Sequence, residues 1–134
     1  MERRGRLRLL LDTHAVLWWF LDDAALSRTA KAAIGADDAE VWVSAVSALE
    51  IANKFRLGKL PRASGLAAGF EAEAAQEGFA ALPVTLRHAS LAGRLAVPHK
   101  DPFDRLLIAQ ALIEGMTLVS NERAFDATGV SRLW

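Results

Sequence analysis

Four acidic residues stand where folding could bring them together to do chemistry. Asp12 directly follows a run of three leucines, and Glu122 lies just beyond a second short apolar run. Glu50 lies within a helical pattern, and Asp104 lies in the first turn of another. In open parallel sheets, ligands bind beyond the carboxyl ends of the strands. We therefore expect Asp12 and Glu122 to converge at one rim of a sheet.

Carboxylates that share a site need a cation. They repel one another and raise one another's pKa unless a positive charge neutralises them. Mg²⁺ and Mn²⁺ prefer oxygen ligands, and Mg²⁺ commonly uses one or two carboxylates together with water and substrate phosphate. Such a site can bind a phosphodiester and activate water for its hydrolysis. The combination of Asp12, Glu50, Asp104 and Glu122 therefore predicts a Mg²⁺ site, with Mn²⁺ as a plausible substitute.

Taken singly, each acid also has an ordinary structural explanation. Asp12 or Thr13 can cap the helix that follows. Asp104 suits the positive end of its helix dipole. Glu50 can be a surface residue, and Glu122 can be a loop or first-turn acid. Only the combination of the four acids indicates a metal site.

Strands and helices alternate along the chain. Apolar runs predict strands at residues 7–11, 41–44, 79–82, 116–120 and 130–133, and helical patterns cover residues 14–21, 27–35, 45–57, 65–77, 86–95 and 101–114. Because each parallel crossover needs a helix to cover the sheet, the order predicts an α/β fold with three α/β/α layers and a mainly parallel sheet of about four to five strands. The helix that carries Glu50 is apolar on nearly every side, so we expect this carboxylate to be partly desolvated.

Composition limits the classes of function. A chain of 134 residues, 52% hydrophobic and 24% charged, predicts one domain over residues 1–134 with a sizeable core. Lys plus Arg and Asp plus Glu balance at 16 each, so any contact with nucleic acid must be local. Arg3, Arg4, Arg6 and Arg8 cluster near the start, where we expect a flexible basic arm over residues 1–7.

Cysteine usage and hydropathy favour a cytoplasmic protein with no membrane segment. The chain has no cysteine, which excludes disulfides and thiolate metal sites and fits a reducing compartment. The longest apolar run, residues 15–21, is far shorter than the ~20 residues that cross a bilayer.

Three blocks of sequence resemble VapC-type toxins of the PIN-domain family. They are LLLDTHAVLW at residues 9–18, SAVSALEIANK at 44–54 with LGKL at 57–60, and HKDPFDRLLIAQA at 99–111. The order and spacing of the blocks are those of the family. The resemblance implies a PIN-like fold and a metal-dependent endoribonuclease whose catalytic acids are Asp12, Glu50 and Asp104.

The family's fourth acid is usually Asp in a Thr-x-Asp stretch, and this chain departs from that pattern. The corresponding run is Ser120-Asn121-Glu122, so Glu122 is the match, with one more methylene than Asp. Ser120 and Asn121 either hydrogen-bond at the same rim or belong to an ordinary turn. The resemblance also implies a homodimer that acts on RNA and is silenced by a cognate VapB-type antitoxin.

Several other side chains have two interpretations. Asp101 precedes a proline and is best explained as an N-cap. His99 either moves protons or is a solvated loop residue. Arg105 either orients Asp104, binds phosphate or is a solvated helix residue. The aromatic residues at positions 18–20 either pack in the core or contact a partner.

One alternative function remains open, and two other classes of α/β protein are disfavoured by missing residues. A non-catalytic PIN-like module that binds RNA or protein is conceivable because of the departure at Glu122. A receiver domain needs an acceptor Asp at the end of the third strand and a Lys near the fifth, and both are missing. No Gly-x-Gly-x-x-Gly follows the first strand, which argues against dinucleotide binding.

Overall fold

The computed structural model describes residues 7–134, and this part of the chain alternates between strands and helices. The strands are β1 (Leu7–Leu11), β2 (Ala39–Ser44), β3 (Ala80–Leu82), β4 (Thr117–Val119) and β5 (Arg132–Leu133). The helices are α1 (Thr13–Phe20), α2 (Arg28–Ile34), α3 (Ala45–Arg56), α4 (Ser64–Gln76), α5 (Leu86–Arg94) and α6 (Pro102–Glu114). Short 3₁₀ helices cover Pro61–Ala63 and Arg123–Thr128.

The sheet is parallel and has β1 at its centre. Its strand order is β3-β2-β1-β4-β5, and every neighbouring pair runs parallel. Leu9 and Leu11 pack into the core on one face of the sheet with α1, α2 and α4, while Leu10 packs on the other face with α6. Burial of each leucine contributes roughly 2 kcal/mol to folding. The predicted three-layer α/β/α fold is confirmed.

Helix ends follow local sequence signals closely. The Ser27 side chain caps α2 by accepting from the Ala30 N–H at 3.0 Å. Asp101 caps α6 in the same way, with Pro102 in the first turn. The α6 helix ends at Gly115, whose φ of 66° is a left-handed conformation that glycine adopts without strain. The N-cap interpretation of Asp101 is confirmed.

One expectation about the helices was wrong. The α3 helix is not buried on nearly every side, since Leu49 is 59% exposed and Leu57 is 52% exposed. Only the face that carries Val46, Glu50 and Ile51 turns inward. The helix predicted at residues 65–77 is present as α4, with a bend at Gly69, where the backbone leaves helical geometry.

The basic start of the chain falls mostly outside the described residues. Arg3, Arg4 and Arg6 lie in that part, as does most of the predicted arm at 1–7. Arg8 belongs to β1, where its guanidinium pairs with Glu40 at 3.3 Å and lies over the Trp42 ring. Arg8 is therefore part of the folded sheet and not of an arm. Within residues 7–134, no helix has the length and apolar character that a membrane span requires.

Candidate active site

One small pocket collects all four acids. Asp12, Glu50, Asp104 and Glu122 line a cavity of about 120 Å³ at the carboxyl edge of the sheet. Its other lining residues are Thr13, His14, Lys54, Asp101 and Leu107. A larger groove of about 590 Å³ between α3, α4 and β3 is lined mostly by apolar side chains. The smaller, acidic pocket is therefore the candidate active site.

The topology explains why residues distant in sequence meet there. The β1 and β4 strands are parallel neighbours, so Asp12 and Glu122, which follow them, lie at the same edge. The α3 helix begins directly after β2, and this places Glu50 near that edge. The α6 helix leads into β4 from the opposite direction, so its first turn with Asp104 lies there too. The expected convergence of the acids on one rim is confirmed.

Asp12 serves the fold and faces the pocket at once. Its Oδ1 accepts from the Ala15 N–H at 2.8 Å, which caps α1, and the residue is only 5% exposed. Burial raises the pKa of the Asp12 carboxyl, although hydrogen bonds from Ser120 and Ala15 lower it. The charge of Glu122 also raises this pKa. The capping and site interpretations of Asp12 are therefore compatible.

Asp104 titrates in an unfavourable environment for a negative charge. Partial burial, followed by the charge of Asp101, raises the pKa of the Asp104 carboxyl to about 6. The charges of Glu122 and Glu50 are smaller causes of the same rise in pKa, and the charge of His99 opposes it. Asp104 thus senses the charge of two of the other predicted site acids. A cation bound among these carboxylates would relieve the repulsion.

Glu50 is paired with a lysine that sequence reasoning missed. Lys54 Nζ lies 2.8 Å from Glu50 Oε2, one helical turn further along α3. Glu50 is only 8% exposed, so the expectation that it is desolvated is confirmed even though most of α3 is not buried. Residues four apart on a helix are neighbours, so the Glu50–Lys54 spacing could have indicated the pair.

Ser120 links two of the acids. Its Oγ accepts from the Glu122 N–H at 3.0 Å, and its side chain is also hydrogen-bonded to Asp12. Ser120 is fully buried. Its bond to the Glu122 N–H belongs to the turn and its bond to Asp12 lies at the rim, so both interpretations of Ser120 hold. Asn121 and Glu122 are exposed beside it. Glu122 is therefore the least enclosed of the four acids.

The donor chemistry of the pocket fits a hard divalent ion. Carboxylate oxygens are the ligands that Mg²⁺ and Mn²⁺ prefer. Within the described range 7–134, however, no three histidines or acids are already arranged as a ligand set. Mg²⁺ commonly keeps several waters and binds through one or two carboxylates. The pocket therefore fits a hydrated ion better than one enclosed by protein ligands.

Arg105 holds the loop between α5 and α6. Its guanidinium donates to the carbonyl oxygens of Ala92 at 2.8 Å, Leu95 at 2.5 Å, Val97 at 3.3 Å and His99 at 2.7 Å. These bonds direct the guanidinium at the loop and contradict all three interpretations of Arg105: that it orients Asp104, that it binds phosphate and that it is a solvated helix residue. The loop leads directly into the turn that carries Asp104, so Arg105 helps to position that turn.

Replacing Arg105 by leucine should destabilise the protein by about 2 kcal/mol or more, because several carbonyl oxygens lose their donors. Urea unfolding measures the difference. Arg87→Leu is the matched control, since Arg87 is exposed on α5 and its loss should cost no more than about 0.5 kcal/mol. Equal stability of the two variants would show that the four bonds do not hold the loop.

Most aromatic side chains of the first helix serve packing. Trp18, Trp19 and Phe20 are partly buried and pack against the main core, which confirms the packing interpretation. The His99 ring stacks on Phe125 with centroids 5.0 Å apart and planes 8° from parallel. The interpretation of His99 as a solvated loop residue is therefore wrong. Its Nδ1 is buried and has no hydrogen-bond partner within the described residues.

Comparisons with known proteins agree with this geometry. The family model for the PIN domain matches residues 9–130. VapBC2 from Rickettsia felis, bound to a DNA fragment from the promoter, contains a chain with a TM-score of 0.68 and 12% identity, covering 94% of this chain and 97% of that chain.

Two further solved structures share the fold. A toxin-antitoxin complex from Klebsiella pneumoniae gives a TM-score of 0.60 at 18% identity, covering 90% of this chain and 92% of that chain. FitAcB from Neisseria gonorrhoeae gives a TM-score of 0.58 at 16% identity, covering 92% of this chain and 95% of that chain. Identities this low show a common fold only. Comparison with curated proteins gives no match.

Proposed function

Because this chain belongs to the PIN-domain family, we propose that it is a Mg²⁺- or Mn²⁺-dependent endoribonuclease and the toxin component of a VapBC-type toxin–antitoxin pair. The observation that carries the proposal is the meeting of Asp12, Glu50, Asp104 and Glu122 in one pocket at the carboxyl edge of the sheet. We propose that Asp12, Glu50 and Asp104 are the principal carboxylates and that Glu122 completes the site.

The proposed chemistry is hydrolysis of an RNA phosphodiester by water. A divalent ion, when bound, would polarise the phosphate and lower the pKa of the attacking water. The Asp12 carboxylate would face the ion in a fixed orientation, because it is hydrogen-bonded to the Ala15 N–H and to Ser120. Lys54 offsets the negative charge of Glu50 at 2.8 Å, which reduces repulsion between the pocket and an incoming phosphate. No covalent intermediate with the protein is needed.

We extend the proposal to the partners of the chain. Solved structures with the same fold carry the names of VapBC2 and of a toxin-antitoxin complex, which supports a VapB-type antitoxin as the cognate partner here. The resemblance in sequence supports a homodimer, and the absence of cysteine supports the cytoplasm as the compartment. RNA is proposed as the substrate on the same resemblance.

Cleavage of single-stranded RNA by the purified chain tests the function. We expect fragments with Mg²⁺ or Mn²⁺, none with EDTA, and recovery when Mn²⁺ is added in excess of the chelator. Mapping of the new RNA ends separates internal cleavage from exonuclease trimming. Binding of RNA without cleavage under every metal condition would contradict the proposal and favour the non-catalytic PIN-like module, which the exposed Glu122 keeps as the second candidate.

A further inference from the structure

Three aromatic rings form a continuous array that begins at the acidic pocket. His14 lines the pocket, and its ring stacks on Trp18 with centroids 5.2 Å apart and planes 24° from parallel. Trp18 in turn meets Trp134 edge to face, with centroids 5.8 Å apart. The array therefore joins the proposed site of chemistry to the surface formed by α1 and the C-terminal residue.

Helix geometry explains why the first two rings of this array lie side by side. His14 and Trp18 are four residues apart on α1, so their side chains lie on the same face of the helix. Trp18 is partly buried and packs against the core, and Trp134 contacts it edge to face. His14 is exposed at the end of the array, so part of its imidazole surface remains open to solvent. A planar ligand could stack there with little loss of conformational entropy.

The charge of the pocket determines which ligand chemistry suits the array. The acids repel phosphates, and the chain as a whole has no excess of positive charge. Affinity for RNA must then come partly from contacts that do not depend on phosphate. Stacking of a base on an aromatic ring is such a contact, and it tolerates any base because every base has a π-face.

We propose that His14, supported by Trp18, is a stacking site for an unpaired nucleobase beside the phosphodiester to be cleaved. The proposal rests on the proposed function, whose substrate it specifies as RNA with an unstacked base at the cut. A base inside a duplex is stacked on its neighbours and cannot reach the ring. The protein should therefore bind single-stranded RNA in preference to the same sequence in a duplex.

Binding measured in EDTA tests the stacking site without requiring turnover. The probe is a short single-stranded RNA with 2-aminopurine, whose fluorescence falls when the base stacks. We expect His14→Ala to weaken binding about tenfold, which corresponds to about 1.4 kcal/mol, and to reduce the quenching, because the base loses the ring on which it stacks. His14→Phe should bind within about twofold of the original chain, because phenylalanine keeps a stacking surface. Leu86→Ala, at a residue that is 91% exposed on α5, is the matched control and should change nothing.

Two results would overturn the stacking site. His14→Ala could bind as tightly as the original chain, or His14→Phe could lose as much affinity as His14→Ala. If His14→Ala leaves RNA binding intact and weakens only the complex with a protein partner, the rings belong to a protein interface. Base-dependent binding through His14 in a chain that never cleaves RNA would instead support the stacking site and contradict the nuclease.

Discussion

Replacement of Asp12 by asparagine should reduce RNA cleavage by ~10³-fold while leaving the fold intact, because the variant loses a carboxylate that would hold the ion, and loss of one electrostatic stabilising group typically costs on the order of 10²–10³ in rate. Asparagine has nearly the same size and caps helices as well as aspartate does. It can keep the bond from the Ala15 N–H, so α1 should still begin at residue 13. What the variant loses is the negative charge that a metal and its waters would require.

The same substitution should not lower stability at neutral pH. Burial raises the pKa of Asp12, which means that the ionised carboxylate is destabilised by its surroundings in the absence of a metal. A neutral amide removes that penalty. We therefore expect the Asp12→Asn variant to unfold in EDTA at the same urea concentration as the original chain or a higher one. Loss of activity with retained stability is the expected result for a residue that serves chemistry at the expense of the fold.

The measurement is kcat/KM for RNA cleavage with Mg²⁺, together with urea unfolding in EDTA. Asp126→Asn is the matched control, because Asp126 is an exposed aspartate that pairs with Arg132 at 2.8 Å and does not line the acidic pocket. It should cleave RNA at the original rate. A folded Asp12→Asn variant that keeps most of its activity would remove Asp12 from the proposed mechanism.

Local signals in the sequence were enough to place much of the site. A run of leucines predicts a doubly buried strand, and the polar residue that ends it must lie at the carboxyl edge of the sheet. Asp12 and Glu122 could therefore be assigned to one rim before the fold was known. The ends of α6 were also predictable, because Asp101 and Gly115 act through backbone bonds within a few residues of themselves.

Other features depend on tertiary packing, which single-sequence patterns do not contain. The apolar residues of α3 are spread around the helix, so periodicity could not tell that Leu49 faces solvent while Glu50 faces the pocket. The partners of Arg105 are carbonyl oxygens, which every residue possesses, so nothing in the sequence identifies them. The stacking of His99 on Phe125 joins residues that are far apart in the chain.

Divalent ions should stabilise the protein much more at pH 8 than at pH 5. Asp104 has a pKa of about 6 in the folded protein, raised from 3.8. Because the folded protein binds this proton more tightly than the unfolded chain does, Asp104 stabilises the fold fully at a pH below its unfolded-state pKa. This contribution is lost as the pH rises through about 6. In EDTA the chain should lose about 1–2 kcal/mol between pH 4 and pH 7, a value discounted because solvent screens the half-buried Asp104. Asp12 changes in the same direction.

A metal reverses this dependence because it binds the ionised carboxylates and competes with protons. At pH 8 a concentration of Mn²⁺ one hundred times its Kd should add about 2.7 kcal/mol to the free energy of unfolding. This corresponds to a rise of roughly 10 °C in Tm for a chain of this size. At pH 5, where Asp104 is mostly protonated, the rise should be much smaller. Thermal melting at both pH values, with Mn²⁺ or with EDTA, measures the four conditions.

Asp104→Asn separates the metal from general effects of pH and salt. The variant has no carboxyl at this position, so its stability in EDTA should fall less between pH 5 and pH 8, and Mn²⁺ should raise its Tm less at pH 8. Asp126 does not confuse the comparison, because Arg132 lowers its pKa and it stays ionised throughout this range. If Mn²⁺ stabilised the original chain equally at both pH values, and Asp104→Asn as well, the ion would be binding away from the acidic pocket. The same outcome would remove the electrostatic reason for four carboxylates to share one cavity.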